Sequence, residues 1–177
     1  MVDKVHYTWK DIEHMIMSIN NLMFADNWRP DMIIGMTRGG LVPAVMLSNM
    51  TGIPMYALDV RFRDVTDGYT PQSDTSAAHD AFVGGKNILV IDDINDSGKT
   101  LEWIKEDWEN HSRNALPASD VRKPEDVWNK SVRFATLIDN GASNFGDVDY
   151  TALEINKSEK DVWVVFPWEG ERDYGNI

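Results

Sequence analysis

A single α/β domain, with a mainly parallel sheet flanked by helices, is the fold class this sequence predicts, and three observations predict it. Short runs crowded with branched residues, at 32–36 and 88–91, stay apolar on successive positions, as strands buried on both faces do. Each run breaks into a glycine-containing turn and then into apolar residues at helical spacing, the order of a strand, loop and helix. Lastly, 177 residues with 42% apolar content suffice for one domain with a full core, spanning 1–177, and no repeat or low-complexity tract divides them.

In chain order, Thr8-Trp9-Lys10-Asp11 has the pattern of a helix cap. Behind it Ile12, Met15, Ile16, Ile19, Leu22 and Met23 form a helical stripe that should cover the sheet. A methionine-rich stripe can also line a cofactor site, but core packing is the preferred reading. The run 32–36 is a buried strand leading into Thr37-Arg38-Gly39-Gly40-Leu41-Val42-Pro43. Residues 42–50 read as a helix closed by Gly52, and 54–60 as the next strand. Residues 62–86 then lose periodicity, with Gly68, Pro71, Gly84 and Gly85 among polar residues. A loop of that length in a compact domain is either functional or disordered.

The segment 88–101 carries the most information, because an apolar strand breaks into three acids and then into small, hydroxylated residues around a glycine. Asp92 and Asp93 fall at the carboxyl end of the strand, where open α/β sheets bind ligands. Residues 96–100 can turn at Gly98 and aim successive backbone N–H groups at one spot, while Leu101, Ile104, Lys105 and Trp108 follow at helical spacing. Such a turn suits a phosphate, held by unpaired amides, the helix dipole and the hydroxyls of Ser97 and Thr100. It is not a Walker A loop, since Gly98-Lys99-Thr100 supplies only the tail of that motif. The preceding carboxylates fit sugar hydroxyls and Mg²⁺ better than a triphosphate alone. The plainer alternative is a strand followed by an Asp-capped helix.

Beyond that helix, 110–130 contains Pro117, Pro124 and a short helix at 124–128, and reads as a surface or oligomer-contact insertion. The strand 132–138 delivers Asp139-Asn140-Gly141-Ala142 to the same sheet edge, and Trp163-Val164-Val165-Phe166-Pro167-Trp168-Glu169 reads as a hydrophobic strand near the C-terminus.

Composition narrows the function classes. Lysine plus arginine number 17 against 29 acids, a net charge of −12 that disfavours binding to nucleic acid but leaves room for a small anion beside local amides and Arg38. Zero cysteines exclude disulfides, a thiol nucleophile and cysteine-ligated zinc. His6, His14, His79 and His111 have no metal-ligand spacing. The first residues lack a basic, apolar leader and no apolar stretch approaches membrane-spanning length, so the expected setting is cytoplasmic, with no membrane partner.

The order from Asp92-Asp93-Ile94-Asn95-Asp96-Ser97-Gly98-Lys99-Thr100 closely resembles the phosphoribosyl pyrophosphate (PRPP) signature of type I phosphoribosyltransferases. Upstream, Thr37-Arg38-Gly39-Gly40 is similar to the pyrophosphate loop of that family. There a guanidinium fork and close backbone approach at glycine suit phosphate oxygens. The 163–169 segment looks like the closing segment of the xanthine, guanine and hypoxanthine branch. The resemblance spans roughly 28–170 and implies the type I phosphoribosyltransferase fold, with a small base-binding hood formed by terminal segments. It also implies transfer of a 5-phosphoribosyl group from PRPP to a purine base, with Mg²⁺, in a homodimer or homotetramer.

By that resemblance Thr37, Arg38 and Gly39 bind pyrophosphate, Asp92 and Asp93 hold the ribose hydroxyls, and Asp93 is the metal contact. Asp96 accepts or relays the base proton, and Asp96, Ser97, Gly98, Lys99 and Thr100 surround the 5′-phosphate, Lys99 facing either phosphate or, preferably, solvent. Asn140, Trp163 and Val164 meet the base, Trp163 by stacking, while Trp168 either shares that role or fills core. The loop 62–86 corresponds to a flexible catalytic hood to which Arg61, Arg63, Tyr69 and Ser73 can contribute. The main departure is Asn140, where purine-specific relatives usually carry a lysine. An amide brings no charge, and its oxygen can favour an amino group. Transfer to a pyrimidine or another heterocycle, a non-catalytic PRPP or nucleotide sensor, and a plain α/β domain remain the alternatives.

Overall fold

The computed structural model describes residues 2–60 and 75–169. Their elements run β1 (Asp3–His6), α1 (Trp9–Ala25), β2 (Met32–Met36), α2 (Leu41–Thr51), β3 (Met55–Leu58), α3 (Ser76–Phe82), β4 (Ile88–Asn95), α4 (Lys99–Ala115), α5 (Pro124–Val127), β5 (Val132–Asn140), β6 (Tyr150–Ile155) and β7 (Val162–Val165). Five strands pair in the order β3-β2-β4-β5-β6, every pair parallel, and β1 pairs with β7 in a separate parallel ribbon. The α/β class, the mainly parallel sheet and a small unit built from terminal segments all agree with the sequence reading.

Alternation along the central strands splits the core into two layers. Ile33, Leu89, Ile91, Ala135 and Leu137 face α1 and α2, where Ile12, Ile16, Ile19, Ala44 and Leu47 complete one cluster. Ile34, Met36, Ile88, Val90 and Phe134 face the other way, onto Phe82, Leu101, Ile104 and Trp108. Burial on both faces is why these strands lack polar alternation in sequence. α1 starts as its cap pattern predicts: the Thr8 hydroxyl accepts from Asp11 N at 3.3 Å while Thr8 N donates to Asp11 Oδ2 at 2.7 Å. Its buried stripe holds Ile12, Met15, Ile16, Ile19 and Met23, but Leu22 is 41% exposed. Leu22, expected in the stripe beside Met23, therefore falls outside it, since adjacent helical positions point about 100° apart and Met23 takes the inward one. α2 ends at Gly52, whose φ of 72° is the left-handed conformation that glycine adopts freely.

Three expectations are corrected. The stretch 62–86 is expected to be loop throughout, yet α3 lies within it and buries Ala77, Ala78, Ala81 and Phe82; alanines carry too little apolar contrast to mark so short a helix. Arg61, Arg63, Tyr69 and Ser73 lie outside the described residues. The region 110–130 is not wholly surface. Its first residues belong to α4, while Val127 and Trp128 enter the core, Trp128 stacking on Phe134 at 5.6 Å and on Trp108 at 6.1 Å with its Nε1 donating to Glu109. Finally, β4 and β5 run on through their polar residues to Asn95 and Asn140, because the ladder continues with Asp92 opposite Thr136 and Asn95 opposite Asp139.

Candidate active site

Parallel pairing with Gly35 opposite Ile91 sets the end of β2 beside the acids of β4. The chain leaving β2 crosses those acids as Thr37-Arg38-Gly39-Gly40, with a cis peptide bond between Thr37 and Arg38. Thr37 is anchored at the neighbouring strand end: its hydroxyl donates to Asp59 Oδ1 at 2.7 Å and accepts from Val60 N at 3.2 Å. Close approach explains both glycines. A β-carbon on Gly39 would overlap the Asp93 carboxylate, and one on Gly40 would strike the Ile91 carbonyl. Arg38 is exposed at the crest of the turn.

Asp92 Oδ1 accepts from Asp93 N at 2.9 Å. Burial pushes the Asp92 carboxyl well above the ordinary carboxylate range, with the charge of Asp93 adding to it. Burial likewise raises Asp93 to about 6, against the Ile94 N–H that favours its charged form; Glu169, from the turn after β7, raises it further. Two adjacent carboxyls that resist ionisation together gain from hydroxyl donors or a hard cation. Among the described residues no group of three or more His, Asp or Glu gathers to hold a metal. The donor set fits Mg²⁺ as that ion is commonly bound, by one or two carboxylates with substrate oxygens completing the shell.

The turn after β4 opens α4. Gly98 has φ 84°, and a β-carbon there would crowd Phe145 N and Ser143 Oγ, so the turn fits only against 143–145. The helix start has no side-chain cap, which leaves its first N–H groups for an anion. Asp96, Ser97 and Lys99 are exposed and Thr100 is half-buried around that start.

At the end of β5, Asn140 is only 5% exposed and its hydrogen-bonding groups are turned onto the chain. Its Nδ2 donates to Asp96 O at 2.9 Å and to Asp96 Oδ1 at 3.4 Å; its Oδ1 accepts from Ala142 N at 3.2 Å and Lys157 N at 3.0 Å. The residue expected to read a base is thus at the predicted edge, but engaged in clasping three loops. Trp163, on β7, is 57% exposed, whereas Val164 beside it is buried. Trp168 stacks on Phe166 at 4.7 Å and meets Trp9 at 6.0 Å, the core-filling alternative for that residue.

Two residues of this edge escaped the sequence reading. Asn95, at a position variable in the signature, is buried and donates to Asp139 Oδ1 at 2.7 Å and Phe145 O at 2.9 Å while accepting from Ser143 Oγ at 2.9 Å. Lys157 places Nζ 2.9 Å from Asp96 Oδ1. A buried amide at a strand end was a usable signal for the first; nothing local to 157 pointed to the second.

A family model described as the phosphoribosyl transferase domain matches residues 2–174. The chain is 28% identical over 148 residues to a xanthine-guanine phosphoribosyltransferase of Cereibacter sphaeroides, covering 83% of this chain and 72% of the relative. Among solved structures, a purine phosphoribosyltransferase from Pyrococcus horikoshii superposes with a TM-score of 0.68 at 28% identity, over 97% of each chain. The xanthine-guanine-hypoxanthine phosphoribosyltransferase of Helicobacter pylori, at 16% identity, shares the fold with a TM-score of 0.60 over 96% of this chain and 94% of its own. With its three glycine-bearing and acidic loops gathered at one sheet edge and this match over nearly its whole length, the chain belongs to the type I phosphoribosyltransferase family.

Proposed function

We propose that the protein transfers the 5-phosphoribosyl group of PRPP to a purine base in purine salvage, releasing pyrophosphate and a nucleoside 5′-monophosphate. The observation that carries this reading is the packing of Gly39 against Asp93, which makes the pyrophosphate loop and the ribose acids neighbours. The uncapped start of α4 supports it by offering a phosphate site on the same strand. The purine relatives at 28% identity favour a purine acceptor.

In the proposed reaction the bond from the anomeric carbon to a pyrophosphate oxygen breaks, and a bond from that carbon to a ring nitrogen of the base forms. Positive charge develops on the ribose as the leaving group departs, so the site must hold negative charge on pyrophosphate. Thr37, Arg38 and Gly39 bind and orient pyrophosphate, Arg38 through its fork of donors. Asp92 and Asp93 hold the ribose hydroxyls, and Ser97 to Thr100 hold the 5′-phosphate. Asp96 takes the proton that the base loses. Mg²⁺, with Asp93 as its proposed ligand, supplies positive charge to the leaving group when bound. Exposed Trp163 stacks on the base, with Val164 behind it. We place the protein in the cytoplasm as a homodimer or homotetramer; among the described residues no helix is long and apolar enough to cross a membrane.

The test is pyrophosphate release from PRPP and Mg²⁺ with guanine, xanthine, hypoxanthine, adenine, uracil and orotate supplied separately, the product identified by mass. Turnover with a purine is expected. Turnover with uracil or orotate alone would replace the acceptor, and PRPP binding without turnover on any base would make the protein a sensor.

A further inference from the structure

We propose that Lys157 selects the base, its ammonium donating to an exocyclic carbonyl oxygen. The inference rests on the purine transfer proposed above and names the group that reads the purine.

Lys157 belongs to none of the motifs, yet it is built into the sheet edge. Its backbone N–H is held by Asn140 Oδ1 at 3.0 Å. The turn around it is tied by Asn156, whose Oδ1 accepts from Ser158 N at 3.1 Å and Ser158 Oγ at 2.6 Å and whose Nδ2 donates to Glu159 Oε1 at 2.9 Å. From this fixed backbone the side chain runs inward to Asp96 and is only 19% exposed. A lysine in an ordinary surface pair keeps its ammonium largely solvated, because such a pair offers little return for immobilising a long stem.

An ammonium carries three donors and no acceptor. Asp96 Oδ1 lies 2.9 Å away as its ion-pair partner, and the donors of the ammonium remain available to a ligand that comes against Asp96. Asn140 is already engaged, since its Nδ2 lies 2.9 Å and 3.4 Å from two Asp96 oxygens and its own oxygen accepts twice. The cation therefore reaches the acceptor side of the site from the β6–β7 turn, while the end of β5 serves as its clasp. The chemistry of the ligand follows. A carbonyl oxygen completes the ammonium, whereas an exocyclic amino group confronts donors with donors and leaves them unpaired. A base with an oxo group should be taken and adenine refused.

The experiment measures kcat, KM for base and KM for PRPP, with melting temperature, for wild type, K157M and K157R on hypoxanthine, guanine, xanthine and adenine. Wild type should prefer the oxopurines. K157M should raise KM for them on the order of 10- to 100-fold, the range of a lost hydrogen bond to a charged donor. KM for PRPP and melting temperature should hold, and K157R should recover part of the loss. If K157M fails to fold, K157Q gives the same reading through its oxopurine-to-adenine ratio, which should fall. Unchanged oxopurine kinetics, equal losses on adenine, or a parallel rise in KM for PRPP would overturn the role and leave a structural ion pair. A wild type that uses adenine alone also overturns it while keeping purine transfer; a wild type inactive on every purine removes the transfer reading itself.

Discussion

Gly39 and Asp93 show how single residues hold the site together. No side chain fits between the loop and the acid, so Gly39→Ala must push one of them away. Displacement of about 1 Å at a reacting centre costs about 10²-fold in rate. We expect kcat/KM for PRPP to fall by about that factor with the far-UV circular dichroism unchanged; wild-type kinetics would show that the two need not touch. Asp93 makes a prediction about pH. Burial pushes its carboxyl up to about 6, above the unfolded value, so its contribution to stability is complete below the unfolded pKa and is lost as pH rises through about 6. Asp93→Asn fixes the uncharged form. Without ligand it should melt close to wild type near pH 4 and about 2–4 °C higher at pH 7.5, as about 1 kcal/mol gives in a domain of this size. A difference that stays flat between those pH values would remove burial as the cause. The acid pair and the glycines were legible because their order is unusual. The commitment of Asn140 to the chain was not, since it depends on three loops meeting across 96, 142 and 157.

Elements were legible where apolar contrast was strong. β2, β4, β5 and α1 declare themselves by burial on consecutive or helically spaced positions. β6 escaped notice, since as the edge strand it buries fully only Tyr150, and β1 is almost wholly exposed. The segment 124–128 is hard to read for a different reason: its proline and charges mark a surface, while Trp128 fills the space between Trp108, Phe82 and Phe134. Trp128→Ala should therefore cost about 3–5 kcal/mol in chemical denaturation, the range for losing a buried tryptophan. A loss below about 1 kcal/mol would return this stretch to the surface.

At the scale of the molecule, the parallel sheet is what turns separate motifs into one site. Strands β2, β4 and β5 are neighbours and all point the same way, so the segments that follow them, far apart in sequence, emerge along one edge. That arrangement could be anticipated, because short doubly buried strands alternating with helices have few other solutions. The crossing from β6 to β7 could not, and it is there that Lys157 enters. The clasp it shares with Asn140 also bears on how the protein ages. Asn140 precedes Gly141, the dipeptide in which a mobile asparagine loses ammonia most readily, as the glycine nitrogen swings onto the side-chain carbonyl carbon to close a five-membered imide. Here Gly141 N donates to Ile155 O at 2.8 Å, and the carboxamide is pinned by four hydrogen bonds. Ring closure has to break that whole set, so the folded chain shields a bond that every unfolding episode exposes, and conversion of Asn140 to a mixture of aspartate and isoaspartate should grow with the time a molecule has spent open.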